Sequence, residues 1–528
     1  MSSELKIKCA DSLNNLIDKF ENNEYMLQRI HNHIVNYLPN TLNYELQNYE
    51  KRLNRNTYLT HEQHVFMQIF LQKNSYFYLP NNNCFYEYNG INYTAVKEDD
   101  IIHKLLSGIS KDRVLLQWKY KTKINIIKQI KERNLFDSIP ESETIQNVLN
   151  VLYPSIFYSK NHAKYFLTII GDNIFKKNLS LIFLVNPQMK KILNDLDCIA
   201  SSVIGINNTT HNFMTKYHEN HLYDKCRLIT INDNFSYELW IDILKKIGLD
   251  LLCVSAHYSK RYENSDNFIE YTSDEELKYY TTYIKNKTQR EIVDEFCAKY
   301  IAETKSDLKL DWKNLHFVWK QFLSDCHYPN MIYSNALKNL IKEKFEYDEE
   351  SESFFGITSK FIPIQRDFIK FWETTISLVT MEQSDQFENE IEIDELCSLF
   401  KIWTKQTNEP LMTNGNISEE NVLKILNHFF TTIEIIEQKY ILNISCSLWD
   451  KSKHIDNSFC YTKEELKKDY KLELISFDNV YNYYYKYCKL QSGKLIVSKR
   501  YFEKYLYYKV SDYIVYDKFI ETNWILNS

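Results

Sequence analysis

Trp312 to Thr358 reads WKNLHFVWKQFLSDCHYPNMIYSNALKNLIKEKFEYDEESESFFGIT, and the architecture of the C-terminal third turns on this stretch. Apolar residues recur at helical spacing from Trp312 to Leu323, Tyr328-Pro329-Asn330 breaks the pattern, and a second helix runs from Ser334 to Lys344. FEYDEESESFFGIT then alternates on both sides of a charged turn, the pattern of a hairpin. The same order returns downstream. A helix near Ile393 to Gln406, a turn through Pro410 and Gly415, and a helix from Ser418 to Phe430 lead into a hairpin, TIEIIEQKYILNIS. ALKNLIKEKF and NVLKILNHFF hold the same place in each copy, so the segment is a weak internal repeat, its copies separated by an acidic linker, Glu382 to Glu392.

Helix, helix and two-stranded wing, in that order, resemble the winged helix-turn-helix plan. In the first copy Asn335, Lys338, Asn339 and Lys342 project away from the core-facing Leu337, Leu340 and Ile341. Amides and lysines are what a groove-reading or phosphate-contacting helix requires. The second copy shows Glu420, Leu423, Lys424 and Asn427 on that face, with Glu419 beside them, which suits a protein partner better than a phosphate backbone.

Upstream, residues 1 to 72 read as helical, and FYEYNGINYTAV (Phe85 to Val96) alternates around Asn89-Gly90, the signal of a two-residue type I′ hairpin turn. A helix over Glu98 to Ser107 follows. Lys111 to Arg133 is the main basic stretch, with eight Lys or Arg against Asp112 and Glu132. As a helix from Lys121 onward it places Ile126, Ile127 and Ile130 on one face, Lys121 and Lys128 on the other and Lys131 toward the flank, and Pro140 ends it. Arg113, Lys119, Lys121, Lys128, Lys131 and Arg133 are its candidate phosphate contacts, with Trp118 and Tyr120 available for stacking. From Ile145 to Phe235 the pattern is mixed α/β: a buried strand at Leu179 to Val185, a helix from Gln188 to Ile204, and a strand at Arg227 to Asn232. Helices at Tyr237 to Ile247 and Gln289 to Ala302 come next, and a tyrosine-rich helical tail, with Ser498 as an N-cap, closes the chain. The expected fold class is therefore mostly α with α/β and winged-helix parts, over several domains: 1–72, 73–142, 143–305, 306–381, 382–460 and 461–528.

The composition bounds the function. A net charge of −6 argues against coating nucleic acid by bulk electrostatics, so any such contact must be a local patch. The start MSSELKIKCADSLNNL lacks a signal-peptide core, and no run of about 18 apolar residues would span a membrane, so no membrane partner is expected. Eleven cysteines scattered singly, without a CxxC pair, read as free thiols in a reducing compartment: cytoplasm, nucleus or a viral equivalent. Only 8 glycines are present, too few to supply many phosphate-wrapping loops.

No catalytic, cofactor or metal site is expected. A phosphate loop needs GxxxxGK[ST] between strand and helix, but the connection after Leu179 to Val185 reads NPQMKK, and the one Gly-Lys pair, Gly493-Lys494, has no glycine five residues earlier. His211, His218, His221 and Cys226 match no common zinc spacing and read as surface histidines, as do His61 and His64. His257, beside Ser255, Tyr258, Lys260 and Arg261, forms a polar cluster that a turn between packed helices would explain, and it is the remaining candidate for an unrecognised enzyme.

Taken in order, the module FYEYNGINYTAVKEDDIIHKLL, the α/β stretch entered through YFLTIIGDNIFKKN and the C-terminal winged helices resemble the primase-helicases of large DNA viruses and some phages, a superfamily-3 helicase group. The resemblance covers about residues 75 to 450. The family's ATP loop is missing, and Asp195-Leu196-Asp197 falls inside a predicted helix and not on a strand that could hold a metal, so the resemblance implies a degenerate, non-catalytic relative. The Asn, Ile, Lys and Tyr bias would suit a viral origin. The expectation is a non-enzymatic factor that binds DNA or RNA in replication, transcription or RNA handling. The alternative is a scaffold for a transcription or translation complex, contacted through its second winged-helix-like domain.

Overall fold

The computed structural model describes residues 2–218, 220–232, 235–304, 308–379, 389–407, 415–468, 473–490 and 495–523. Most of the acidic linker, Pro410 of the second turn and Gly493-Lys494 lie outside them. The chain is mostly helical, with 63% helix against 12% strand. It divides into two compact units, Met1–Lys216 with Asn220–Lys285, and Tyr217–Glu219 with Asn286–Ser528.

In the first unit α1 (Ser2–Lys19) turns back through Phe20–Asn23, where the Asn23 side chain accepts from the Met26 N–H and caps α2 (Glu24–Asn32). A π-helical turn, His33–Tyr37, carries α2 into α3 (Leu38–Lys73), making one nearly continuous helix of about 75 Å at 1.5 Å per residue. No side chain from Ser3 to Tyr58 is buried; only from Leu59 does α3 meet a core, through Leu59, Gln63, Met67, Phe70 and Leu71. That core is shared with an antiparallel sheet, β1 (Ser75–Leu79), β2 (Cys84–Tyr88) and β3 (Tyr93–Val96), and with α4 (Glu98–Asp112) and α5 (Lys119–Lys131).

The β2–β3 connection is not the expected two-residue turn. Tyr88 pairs with Tyr93, leaving the four residues 89–92 as the loop, and Gly90 there has φ +96°. The Asn89 carboxamide accepts from the N–H groups of Ile91 and Asn92, so its side chain closes the loop, as an Asx-turn does. Helix α5 also stops at Lys131, before Pro140, because the chain then turns to run beside β1, where the Arg133 carbonyl accepts from Tyr78 N–H.

The remainder of this unit comprises α6 (Ser142–Leu152), α7 (Lys160–Ile174), β4 (Ile182–Leu184), α8 (Pro187–Ile204), β5 (Phe213–Met214), β6 (Cys226–Leu228), α9 (Tyr237–Arg261), α10 (Ser265–Tyr271) and α11 (Glu275–Thr281). Helices α7 and α9 pack so closely that a Cβ on Gly171 would stand 2.1 Å from the Ser255 carbonyl oxygen, which is why this position carries no side chain. β4 is the centre of a small parallel sheet ordered β5-β4-β6. It is shorter than the expected Leu179–Val185 strand: its partners are two and three residues long, and Leu179 is exposed.

The second unit repeats one plan three times. In the first repeat α12 (Gln289–Tyr300) and β7 (Ala302–Glu303) lead to β8 (Lys309–Asp311), α13 (Trp312–Asp325), α14 (Ser334–Lys342) and the hairpin β9 (Tyr347–Asp348) with β10 (Ser353–Phe355). Its sheet is ordered β8-β10-β9, and β11 (Ile357–Thr358) pairs back onto β7. The second has α15 (Ile362–Thr375), β12 (Ile376–Leu378), β13 (Glu390–Glu392), α16 (Ile393–Gln406), α17 (Glu419–Phe429), β14 (Ile435–Ile436) and β15 (Tyr440–Leu442), ordered β13-β15-β14, with β16 (Ile444–Cys446) on β12. The spacing predicts two copies and a helical tail, but the tail carries a sheet as well. There α18 (Lys451–Lys468), β17 (Leu474–Ser476), α19 (Phe477–Leu490), α20 (Lys499–Lys509), β18 (Ile514–Val515) and β19 (Phe519–Glu521) repeat the order β17-β19-β18. Ser498 caps α20 by accepting from Tyr501 N–H at 3.3 Å.

Within this unit each later repeat lays its second hairpin-preceding helix on the repeat before it. At the end of α17, Phe429 packs on Phe317 of α13, with ring centroids 5.5 Å apart, and His428 Nε2–H donates to the Lys313 carbonyl at 2.9 Å. On α20, Lys504 reaches buried Glu390 at 2.7 Å, Arg500 stacks 4.2 Å from the centre of the Tyr440 ring, and the Ser498 N–H donates to Glu395 at 2.8 Å. Glu395 also meets the buried ammonium of Lys451, an ion pair that closes the contact.

Candidate nucleic-acid interface

Arg113 ends α4 in the left-handed region, at φ +61°, and turns the chain toward a 3₁₀ turn at Leu116–Trp118 that opens α5. Thr122, Ile126, Ile127 and Ile130 form the buried face of α5, and Thr122 is held by Gln63 of α3 at 2.9 Å. This burial fixes the rotation of the helix, so Lys121, Lys128 and Lys131 point outward as their spacing predicts. On the same outward side Tyr120 and Ile124 are 67% and 65% exposed. Lys119 and Lys123 lie nearer the buried face and are half-buried.

The expected contacts differ in what already occupies them. Among the described residues, Lys111, Arg113, Lys119, Lys121, Lys123 and Lys128 have no carboxylate within ion-pairing reach. Lys121 instead stands 3.9 Å over the centre of the Trp118 ring, which takes that ring face from any base, and Lys119 lies 5.0 Å from the centre of the Tyr120 ring, whose edge remains exposed. Lys131 lies 3.9 Å from Glu98 and over the rings of Tyr78 and Phe85, and the Arg133 guanidinium donates to the Leu71 carbonyl at 3.4 Å. Those two cations serve the fold first.

The α14 lysines are not free. Lys338 pairs with Glu352 at 3.0 Å and Lys342 with Glu349 at 2.6 Å, both from the acidic hairpin, and both stand over the Tyr347 ring. Lys344, just past the helix, pairs with Asp294 of α12 at 2.5 Å. Asn335 and Asn339 are exposed, but a helix whose cations are matched by its own hairpin offers little to a phosphate. The sequence holds the signal for this, since Asp348, Glu349, Glu350 and Glu352 crowd the turn that follows the helix. In the second repeat Lys424 is likewise paired to Glu420, at 2.6 Å.

Where a phosphate loop would lie between β4 and α8, the chain has Asn186-Pro187. The Asn186 side chain accepts from Met189 N–H at 2.7 Å and Pro187 has no N–H, so the helix end is capped by its own residues. Lys190 donates to the Phe213 carbonyl at 2.9 Å, and burial holds its pKa down. Asp195 accepts from the Tyr237 hydroxyl and Asp197 from the N–H and hydroxyl of Thr209, so both carboxylates of the DxD fasten neighbouring segments to α8. No group of three His, Cys, Asp or Glu side chains gathers as a metal site among the described residues. His257 sits inside α9 and not on a turn. Of its polar neighbours, Ser255 and Ser259 are buried, Ser259 donating to Asp172 at 2.6 Å, and Lys260 pairs with Asp137. Burial, and then Arg261, lower the His257 pKa. No helix among the described residues is long and apolar enough to cross a membrane, and all eleven cysteines are free.

No family model, curated protein or solved structure matches the chain.

Proposed function

We propose that the protein is a non-enzymatic factor that holds nucleic acid by its phosphate backbone along the outward face of α5 and the turn before it. One observation carries this reading: six cations between Lys111 and Lys128 lack carboxylate partners among the described residues, while the lysines of α14 are neutralised by their own hairpin. Unpaired cations gain from counterion release on meeting phosphates; paired ones must first break an existing contact. Exposed Tyr120 and Ile124, on the outward side of α5 with Lys128, add a surface against which unpaired bases can rest. These contacts are to charge and ring faces, which DNA and RNA share.

The test is fluorescence anisotropy with single-stranded DNA and RNA oligonucleotides across a salt series. Wild type should bind with a log–log salt slope of about −2 for three phosphates, at roughly −0.7 per contact. Lys121→Glu with Lys128→Glu should remove most binding, and Lys338→Glu with Lys342→Glu should leave it near wild type. Because Lys121 and Lys128 are exposed, the first pair should melt within about 0.5 kcal/mol of wild type.

A second reading is favoured by the interlocked repeats, in which α17 and α20 each pack on the repeat before them: a scaffold whose repeat array receives protein partners. Absence of oligonucleotide binding at low salt would leave that reading alone.

A further inference from the structure

Helix α3 uses one face twice. At alternating spacings of four and three residues, Leu42, Leu46, Tyr49, Leu53, Asn56, Thr60, Gln63, Met67 and Phe70 form a single seam. Its C-terminal half is spent on the chain's own core, where Gln63, Met67 and Phe70 are buried. Its N-terminal half meets nothing: Leu42, Leu46, Tyr49 and Leu53 are each more than half exposed. Helix α1 packs further back, Leu13 and Leu16 lining a groove with Tyr25, Met26, Arg29 and Ile30 of α2. A bare run of about 17 Å from Leu42 to Leu53 is left between the two.

We infer that this run pairs with the same run of a second copy of the chain, as an antiparallel two-helix contact about a two-fold axis. Charge selects the occupant and its direction. Glu45 and Arg52 flank the seam on the same side, and neither has an ion-pair partner among the described residues. In the antiparallel arrangement Leu42 faces Leu53 of the second copy and Leu46 faces its Tyr49. Glu45 then meets Arg52 of the second copy, and two-fold symmetry makes every one of these contacts twice. A parallel pair would bring Glu45 against Glu50 of the second copy, like charge against like. The patch is thus complementary to itself in one direction only, and no different protein is needed to satisfy it.

The full-length protein tests this by sedimentation equilibrium over a broad concentration range. Wild type should show a reversible monomer–dimer equilibrium. Leu46→Glu with Leu53→Glu should weaken it by about a hundredfold or more, roughly 3 kcal/mol, with an unchanged circular dichroism melt because both side chains are already exposed. Arg52→Glu alone should weaken it about tenfold, near 1.4 kcal/mol, and adding Glu45→Arg should restore it. A wild type that stays monomeric at the highest concentration, or a dimer indifferent to the leucine pair, overturns the inference. Failure of the charge swap to rescue overturns its antiparallel direction.

Discussion

Asp250 lies on α9, away from the basic helix, yet holds the β2–β3 loop in place. Its carboxylate accepts from Tyr93 N–H at 2.6 Å and from the Asn92 amide at 3.1 Å. Burial pushes its pKa up to about 6. The folded chain therefore takes this proton more readily than the unfolded chain, and between about pH 4 and pH 6 the contribution of this group to stability falls as pH rises. Asp250→Asn keeps an acceptor for Tyr93 without the charge. It should raise the urea midpoint at pH 7.5, stabilising the fold by an amount on the order of 2 kcal/mol, and the gain should fade as pH is lowered toward 4.5. A midpoint lowered at pH 7.5 would mean that the ionised carboxylate is worth more than its desolvation costs.

At the scale of elements the contact between α13 and α17 has its own pH signature. The His316 and His428 rings lie 5.6 Å apart, His428 Nε2–H donates to the Lys313 carbonyl, and its Nδ1 accepts from Lys320 at 3.0 Å. Burial, with the charge of Lys320, lowers both imidazoles to about 4. Unfolded histidines titrate near 6.5, so as pH falls from about 6.5 toward 4 the unfolded chain binds protons that the folded chain refuses, and stability is lost. Between pH 7 and pH 5 the loss should be on the order of 2 kcal/mol, read by denaturant melts or by faster amide exchange along α17. His316→Gln with His428→Gln should flatten that dependence. The same element scale shows what was legible in the sequence. The second hairpin could be read because apolar alternation brackets Glu437-Gln438, which do take positive φ. The third repeat carried a similar signal, IVYDKFIE around Tyr516-Asp517, also at positive φ, but its strands are two and three residues long and tyrosines blur the apolar face. The outward lysines of α5 were legible from period alone. The capture of Lys338 and Lys342 was not, because helical spacing says where a side chain points and nothing of which carboxylates the next hairpin brings over it.

Across the whole molecule the cysteines offer a direct reading of burial. Cys9, Cys198 and Cys460 are exposed, while Cys226, Cys253, Cys446 and Cys488 are buried. A thiol reagent should find Cys9, Cys198 and Cys460 quickly in the native protein and all eleven after unfolding without reductant; quick modification of Cys253, whose thiol pKa is raised well above its ordinary value by burial, would contradict the packing of α9.

The interlocked repeats bear on how this chain comes into being. Each repeat in the second unit presents a finished surface to the one that follows in sequence, α13 to α17, and Glu390 and Glu395 to α20. During synthesis the earlier repeat has left the ribosome before the later one is complete, so its docking face can already be in place when the partner helix arrives. The order of translation and the order of assembly coincide, and the array can grow one repeat at a time without waiting for its end.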